Sequence, residues 1–306
     1  MTIIGKGDFF GLPTGRIENG ALEVEFLWEA GPRLVRLALQ GAGENLLAEA
    51  PSLSWETPHG RYFPHGGHRL WLAPETAART SIPDDSGLKV EQLPDGVRLL
   101  QPTEAPTAIR KAIDVRLTPG QPRLTLAHSL ANEGSAAIEL APWAITMLRH
   151  GGVAVVPQPN EPVEADGLQP NRSWVLWPRS RWDDPRLRFT ESFCFVESRP
   201  LGTPGKFGTF NRHGWLGYLR GDVLFIKRFE PQPESLHTDL GCNAEVYVCD
   251  EYLELESLGP LCTLAPGESV VHTETWELYR TGDPASVPAP YHAALEALQH
   301  RPRPRP

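Results

Sequence analysis

Apolar and polar positions alternate with a period of two along most of this chain, the pattern of half-buried strands. Leu22, Val24, Phe26 and Trp28 interleave with Glu23 and Glu25. Val35, Leu37 and Leu39 repeat the pattern, as do Ile109, Ile113, Val115 and Leu117, and then Leu124, Leu126 and Leu130. Between these runs stand Pro94-Asp95-Gly96, Thr118-Pro119-Gly120 and Asn132-Glu133-Gly134, whose residues turn a chain back on itself. Consecutive antiparallel strands are the expectation. The second half continues it, with strands expected at 174–177, 193–197, 216–219, 223–229, 244–248, 252–256 and 270–279. One segment reads as helix, 291–300, entered through Pro288 and Pro290, and the Arg-Pro repeat at 301–306 is expected to fray.

Roughly eighteen strands exceed what a single twisted sheet holds, which favours two large sheets packed face to face. No composition break or Ser/Gly linker divides the chain. The fold class expected is therefore all-β, a tall β-sandwich over 1–283, followed by a short C-terminal helix in a tail over 284–306.

Composition supports this and narrows the partners. With 31 Pro and 28 Gly in 306 residues, turns are dense, while nine Trp and eleven Phe supply a core. A net charge of −9 with 29 unclustered Lys and Arg argues against a nucleic-acid partner. The first residues lack a basic then apolar leader and no apolar run is long enough for a bilayer, so a cytoplasmic protein without membrane contact is expected, as monomer or homodimer. Cys194, Cys242, Cys249 and Cys262 form no CxxC pair and read as buried or incidental thiols.

Chemistry concentrates in His65-Gly66-Gly67-His68-Arg69-Leu70-Trp71, closed by Ala73-Pro74-Glu75. This reads as a flexible loop that brings two imidazoles, a guanidinium, an indole and a carboxylate to a polar ligand. The plainer alternative is a surface loop in which Arg69 and Glu75 pair. A second group is Lys227, His237, Asp239 and Glu245 around a Pro-rich loop, where a solvated loop with ordinary ion pairs is the competing account. His65, His68 and Glu75, or His237, Asp239 and Glu245, could ligate a metal, but neither has a specific ligand spacing, and no required metal or other cofactor is expected. His128 falls in phase with Leu124, Leu126 and Leu130, as a hydrogen-bonded core histidine would. Glu254 and Glu256 share one face of a strand, by period the solvated face opposite Leu253 and Leu255. No Gly-x-Ser-x-Gly, P-loop or dinucleotide fingerprint is present.

Three stretches together resemble the galactose mutarotase-like superfamily, which includes the aldose 1-epimerases. In 34–47 and just before it, Gly-Pro-Arg-Leu-Val-Arg-Leu precedes Glu-Asn-Leu-Leu. In 124–146, a strand, Asn132-Glu133-Gly134 and Leu140-Ala141-Pro142-Trp143-Ala144-Ile145-Thr146 are similar to the family's central strand pair. In 253–278, Leu-Glu-Leu-Glu-Ser-Leu-Gly-Pro, Pro266-Gly267-Glu268 and Thr273-Glu274-Thr275-Trp276 resemble its closing motif. The resemblance implies the family's very large sandwich. It also implies a small-molecule sugar as partner, Glu256 as the base with Glu254 as its rival, and His65 or His68 as the acid. Arg69, Trp71, Glu75, Lys227, His237, Asp239, Glu245 and Glu254 would be sugar contacts. One departure stands out: no histidine occupies Trp143–Leu148, where the family's usual proton donor follows the central strands. An aldose 1-epimerase-like isomerase and a non-catalytic sugar-binding or sensor protein are both open. A polysaccharide lyase or glycoside hydrolase, working through paired carboxylates, is a further alternative.

Overall fold

The computed structural model describes residues 5–299. Two large antiparallel sheets carry the chain. The first runs, in spatial order, Gly5–Phe9, Leu12–Glu18, Leu22–Leu27, Arg33–Leu39, His68–Ala73, Ile138–Arg149, Tyr252–Leu258, Ala244–Val248, Gly205–Thr209 and Val175–Leu176, with Cys262–Leu264 pairing on the start of Ile138–Arg149. The second runs Lys89–Leu93, Gly96–Leu100, Ile109–Leu117, Arg123–Asn132, Ser269–Arg280, Val223–Phe229, Trp215–Arg220, Gly152–Pro157, Phe193–Glu197 and Leu187–Phe189. The expected all-β sandwich is thus the observed architecture.

The alternation decides which side chains meet between the sheets. Leu124, Leu126 and Leu130 of one sheet face Leu34, Leu37, Leu70, Leu72, Leu253 and Leu255 of the other in one continuous apolar core. At about 25 cal/mol per Å² of apolar surface removed from water, such a layer is the principal stabilising term. Strand bounds expected at 193–197, 223–229 and 244–248 coincide with those observed.

Two expectations are corrected. The segment around the glycine pair is no flexible loop: His65–Gly66 and His68–Ala73 are short strands with every residue buried. Gly66 and Gly67 have positive φ because the chain squeezes through backbone there, and a Cβ on Gly67 would stand 1.8 Å from the Leu34 carbonyl oxygen. Nor are Glu254 and Glu256 on a solvated face, since Tyr252–Leu258 lies in the middle of the first sheet and both glutamates are buried.

The helix, Ala289–Gln299, docks on the outer face of the second sheet, where Val287, Tyr291, Ala294 and Leu298 meet Val155, Phe193, Phe195, Trp215, Leu224 and Ile226. The expected helix end at His300 and the 301–306 tail lie outside the described residues. The four cysteines are free, with Cys194, Cys242 and Cys249 buried. Among the described residues, no helix is long and apolar enough to cross a membrane.

Candidate functional site

The outer face of the first sheet carries the site. Registry lines up Arg69, Ile145, Glu256, Glu245 and Gly208 in one row across five strands, and Met147, Glu254, Tyr247 and Lys206 in the next. Trp71, Trp143 and Leu258 form a third. Because side chains two apart share a face, Arg69 with Trp71, Trp143 with Ile145, and Glu254 with Glu256 all emerge together.

These rows floor a cavity of about 670 Å³, whose walls include Trp55, Trp71, Trp143, Trp177, Tyr247 and Tyr252. The volume falls in the range of small-molecule sites, about 300–1,000 Å³. Trp177 is seated because position 208 is glycine, where a Cβ would lie 3.0 Å from the indole. Trp71 is held from behind by Tyr62, whose hydroxyl accepts from Trp71 Nε1 at 3.0 Å and from Arg33 Nη2 at 3.1 Å. Arg33 is fully buried, donating to the Phe63 and Pro64 carbonyls and to Asp84. It is the arginine of the Gly-Pro-Arg motif, so that motif's first task here is to brace the cavity wall.

Lys206 is the cation at the centre of the site. Its Nζ lies 2.7 Å from Glu245 Oε2 and 3.0 Å from Glu256 Oε2, over the rings of Trp143 at 4.4 Å and Trp177 at 4.8 Å. Trp143 Nε1 donates to the same Glu256 oxygen at 2.6 Å. Arg69 donates to Glu254 Oε1 at 3.0 Å and lies 4.3 Å over the Trp71 ring. Polar capacity is left over. Glu256 Oε1 and Arg69 Nε and Nη1 are buried and have no partner.

The carboxyls differ in ionisation. Burial pushes Glu256 up, but the Lys206 charge and the hydrogen bonds that Lys206 and Trp143 give its Oε2 hold it below the ordinary carboxylate range. Burial drives Glu245 well above that range, with Glu256 and Asp239 adding to it against the pull of Lys206. Glu254 is raised by burial and by Glu256, against Arg69. Glu75, exposed at the mouth, is raised by partial burial, against Lys206 and with Glu256.

Of the residues singled out from sequence, Arg69, Trp71, Glu75, Glu254 and Glu256 line this cavity, and Glu245 sits beside it under Lys206. The others do not join them. His65 lies in a separate hollow with Phe9, Phe10, Pro51 and Asp85 and stacks on Phe63 at 5.8 Å. Burial and the charge of Arg33 push its pKa down to about 4. His68 points the opposite way, into the sandwich interior, with no exposed surface. His237 sits on the loop after 229, its Nε2 3.2 Å from the Gln232 carbonyl, and Asp239 follows in a left-handed turn. Neither donor set considered for a metal converges.

Lys227 is also interior, and belongs to a polar network between the sheets. Its Nζ, with three N–H groups, is surrounded by four oxygens: Glu274 Oε1 at 2.9 Å, the Ala144 and Leu255 carbonyls at 2.8 and 3.0 Å, and Thr146 Oγ1 at 3.1 Å. His68 Nδ1 is 3.0 Å from the same Thr146 hydroxyl, and its Nε2 is 2.7 Å from His128 Nε2. His128 Nδ1 meets the His272 carbonyl, His272 Nε2 lies 2.6 Å from Ser257 Oγ, and Ser257 and Trp276 donate to Glu274. His128 is thus the core histidine its phase predicted. His68, His128 and Glu274 could geometrically hold a metal ion, but the Lys227 ammonium already stands as the cation at Glu274.

Sequence reasoning missed Lys206, Trp177 and Tyr252, and used Trp143 only as part of a motif. Lys206 lies between Gly205 and Gly208 in a stretch with little apolar alternation, and its partners are 39 and 50 positions away (245 − 206 and 256 − 206). The one available signal was the pair of tryptophans at 174 and 177 ahead of a strand.

No family model matches the chain, and no curated protein sequence matches it. Solved structures do. The Slr1438 protein of Synechocystis, 14% identical, is covered over 95% of its length by 87% of this chain with a TM-score of 0.54. A galactose mutarotase-like protein from Lactobacillus casei is 13% identical, with 87% of this chain on 100% of that one at 0.52. One from Clostridium acetobutylicum is 12% identical, with 90% on 98% at 0.51. Likeness at such identities is a likeness of fold, and it agrees with the two packed sheets. This chain has the galactose mutarotase-like fold.

Proposed function

We propose that the cavity binds a carbohydrate and that the protein interconverts its anomers, with Glu256 as the base. The observation that supports this most is the state of Glu256: fully buried, tied through Oε2 to Lys206 and Trp143, with Oε1 left unpartnered in a residue that lines the cavity. A buried acceptor without a partner costs about 1–3 kcal/mol, which a ligand hydroxyl relieves. Sugars offer flat C–H faces to tryptophan and rings of hydroxyls to carboxylate and guanidinium, and the site has both. Opening the ring requires a base at the anomeric hydroxyl, and a carboxylate held ionised at neutral pH is ready to act there.

The test is exchange NMR on a panel of aldoses, following the rate at which α and β anomers interchange. The protein is expected to accelerate exchange for at least one sugar. Glu256→Gln is expected to lower that rate by about 10²-fold or more while calorimetry still detects binding. Acceleration of none would end the catalytic claim.

A second reading, a sugar sensor without catalysis, is favoured by one observation: His65 and His68, the expected acids, both lie outside the cavity. A sensor would bind an aldose, leave anomer exchange at its spontaneous rate, and show only an altered affinity in Glu256→Gln.

A further inference from the structure

An anomer-interconverting site needs an acid as well as a base, and no imidazole lines the cavity among the described residues. Resting on the reading of the cavity given above, we propose that Glu75 is its catalytic acid, delivering a proton to the ring oxygen of the bound sugar.

Elimination leads to it first. An acid works best with a pKa brought towards the operating pH, so that it can both hold a proton and let it go. Arg69 and Arg179 cannot release theirs. The Lys206 ammonium is clamped between two carboxylates, which drive its pKa upward. Glu254 is spent on Arg69. Burial makes the Tyr247 and Tyr252 hydroxyls and the Cys249 thiol weaker acids than usual. Glu251 stands at the opposite end of its strand from Glu256, on the turn before Tyr252.

Position then favours Glu75. Arg69, Trp71 and Ala73 are the outward members of the His68–Ala73 strand, and Glu75, two residues past its end, lines the same cavity at its mouth. Its carboxyl makes no hydrogen bond or ion pair, unlike Glu245, Glu254 and Glu256, so its proton and its orientation are free for a ligand. Lys206 and Glu256 both act on it electrostatically, so it belongs to the same charge cluster. Its environment shifts it upward while that of Glu256 shifts it downward, the divergence expected of an acid and a base that share one site. A sugar closing the mouth would strip more water from Glu75 and increase the shift.

The proton count closes. Glu256 takes the proton of the anomeric hydroxyl, and the oxygen's electron pair forms the carbonyl as the C1–O5 bond breaks. O5 then takes the proton of Glu75. After rotation about C1–C2, O5 attacks either face of the aldehyde, returning its proton to Glu75 as the new anomeric oxygen recovers one from Glu256.

The experiment compares the full chain with Glu75→Gln and Glu75→Asp, measuring kcat and KM for anomer exchange by NMR over a pH series and sugar affinity by calorimetry. Glu75→Gln is expected to lower kcat about 10²-fold with little change in affinity, and to abolish the alkaline fall of the wild-type rate. Glu75→Asp should restore part of the rate. A wild type that is active and a Glu75→Gln variant within threefold of it would overturn the proposal and leave the reading of the cavity intact. A variant with raised KM and unchanged kcat would overturn it too, making Glu75 a binding contact. A wild type that accelerates no aldose would fail the reading itself, and the acid with it.

Discussion

Trp143 shows how much one side chain decides here. Its indole N–H holds Glu256, and its ring bears the Lys206 ammonium. Trp143→Phe keeps the ring and removes the donor. A hydrogen bond to a charged group is worth about 1.5–3 kcal/mol, or roughly one to two pH units. The Glu256 carboxyl should therefore titrate higher by that much in a carbon-13 NMR titration of glutamate carboxyls. Lys227 offers the contrasting case, a cation with no surface at all. Lys227→Met would leave Glu274 buried and uncompensated, and should cost about 3–5 kcal/mol in urea unfolding. The sequence displayed Glu254 and Glu256 as a same-face pair because period two is local. It could not display Lys206, since a lysine between glycines looks the same whether it meets water or two distant glutamates. His65 and His68 misled for a related reason, because composition shows which groups are near in sequence and says nothing about which side of a strand each takes.

At the scale of elements, legibility came either from burial on one face, as in Leu22–Leu27, or from a short apolar run, as in Phe193–Glu197, which is buried almost throughout. Strands with one wet face, or with small polar residues between apolar ones, were readable from alternation. His68–Ala73 was not: neighbours cover both its faces, so its residues form an unbroken buried run with no period to read. The glycine pair before it marks close packing. The Gly67 amide donates to the Ala48 carbonyl and its own carbonyl accepts from Met147, fixing where the strand enters the sheet. Gly67→Ala would combine a φ of +69° with a methyl driven into Leu34, and should cost at least about 2 kcal/mol in denaturant unfolding. A slip of one residue in Tyr252–Leu258 would be worse still, carrying both glutamates into the apolar interior and Leu255 into the cavity.

The whole molecule is a sandwich whose interior holds neutral histidines. Burial pushes His272 down to about 3, assisted by His128 and Lys227 and opposed by Glu274, and it lowers His68 and His128 as well. The unfolded chain, with histidines near 6.5, takes up these protons first, so this contribution to stability is whole above about pH 6.5 and drains away as pH falls towards 3. NMR should show the His272 ring still neutral at pH 5 in the folded protein. The two sheets were foreseeable from strand number and turn density. What the sequence left unstated was that the helix seals the outer face of the second sheet. Removing residues 284–306 should uncover Phe193, Phe195 and Trp215, detectable as increased dye binding by the truncated protein.

Four of the nine tryptophans, Trp55, Trp71, Trp143 and Trp177, look into one cavity, and two of them lie under the Lys206 charge. Their emission colour is set by water and by that ammonium, both of which an occupant disturbs. The protein therefore carries its own optical gauge of occupancy. A sugar titrated into unlabelled protein should shift the fluorescence maximum and saturate at the same affinity as calorimetry, a signal that Trp177→Phe should diminish without disturbing the fold.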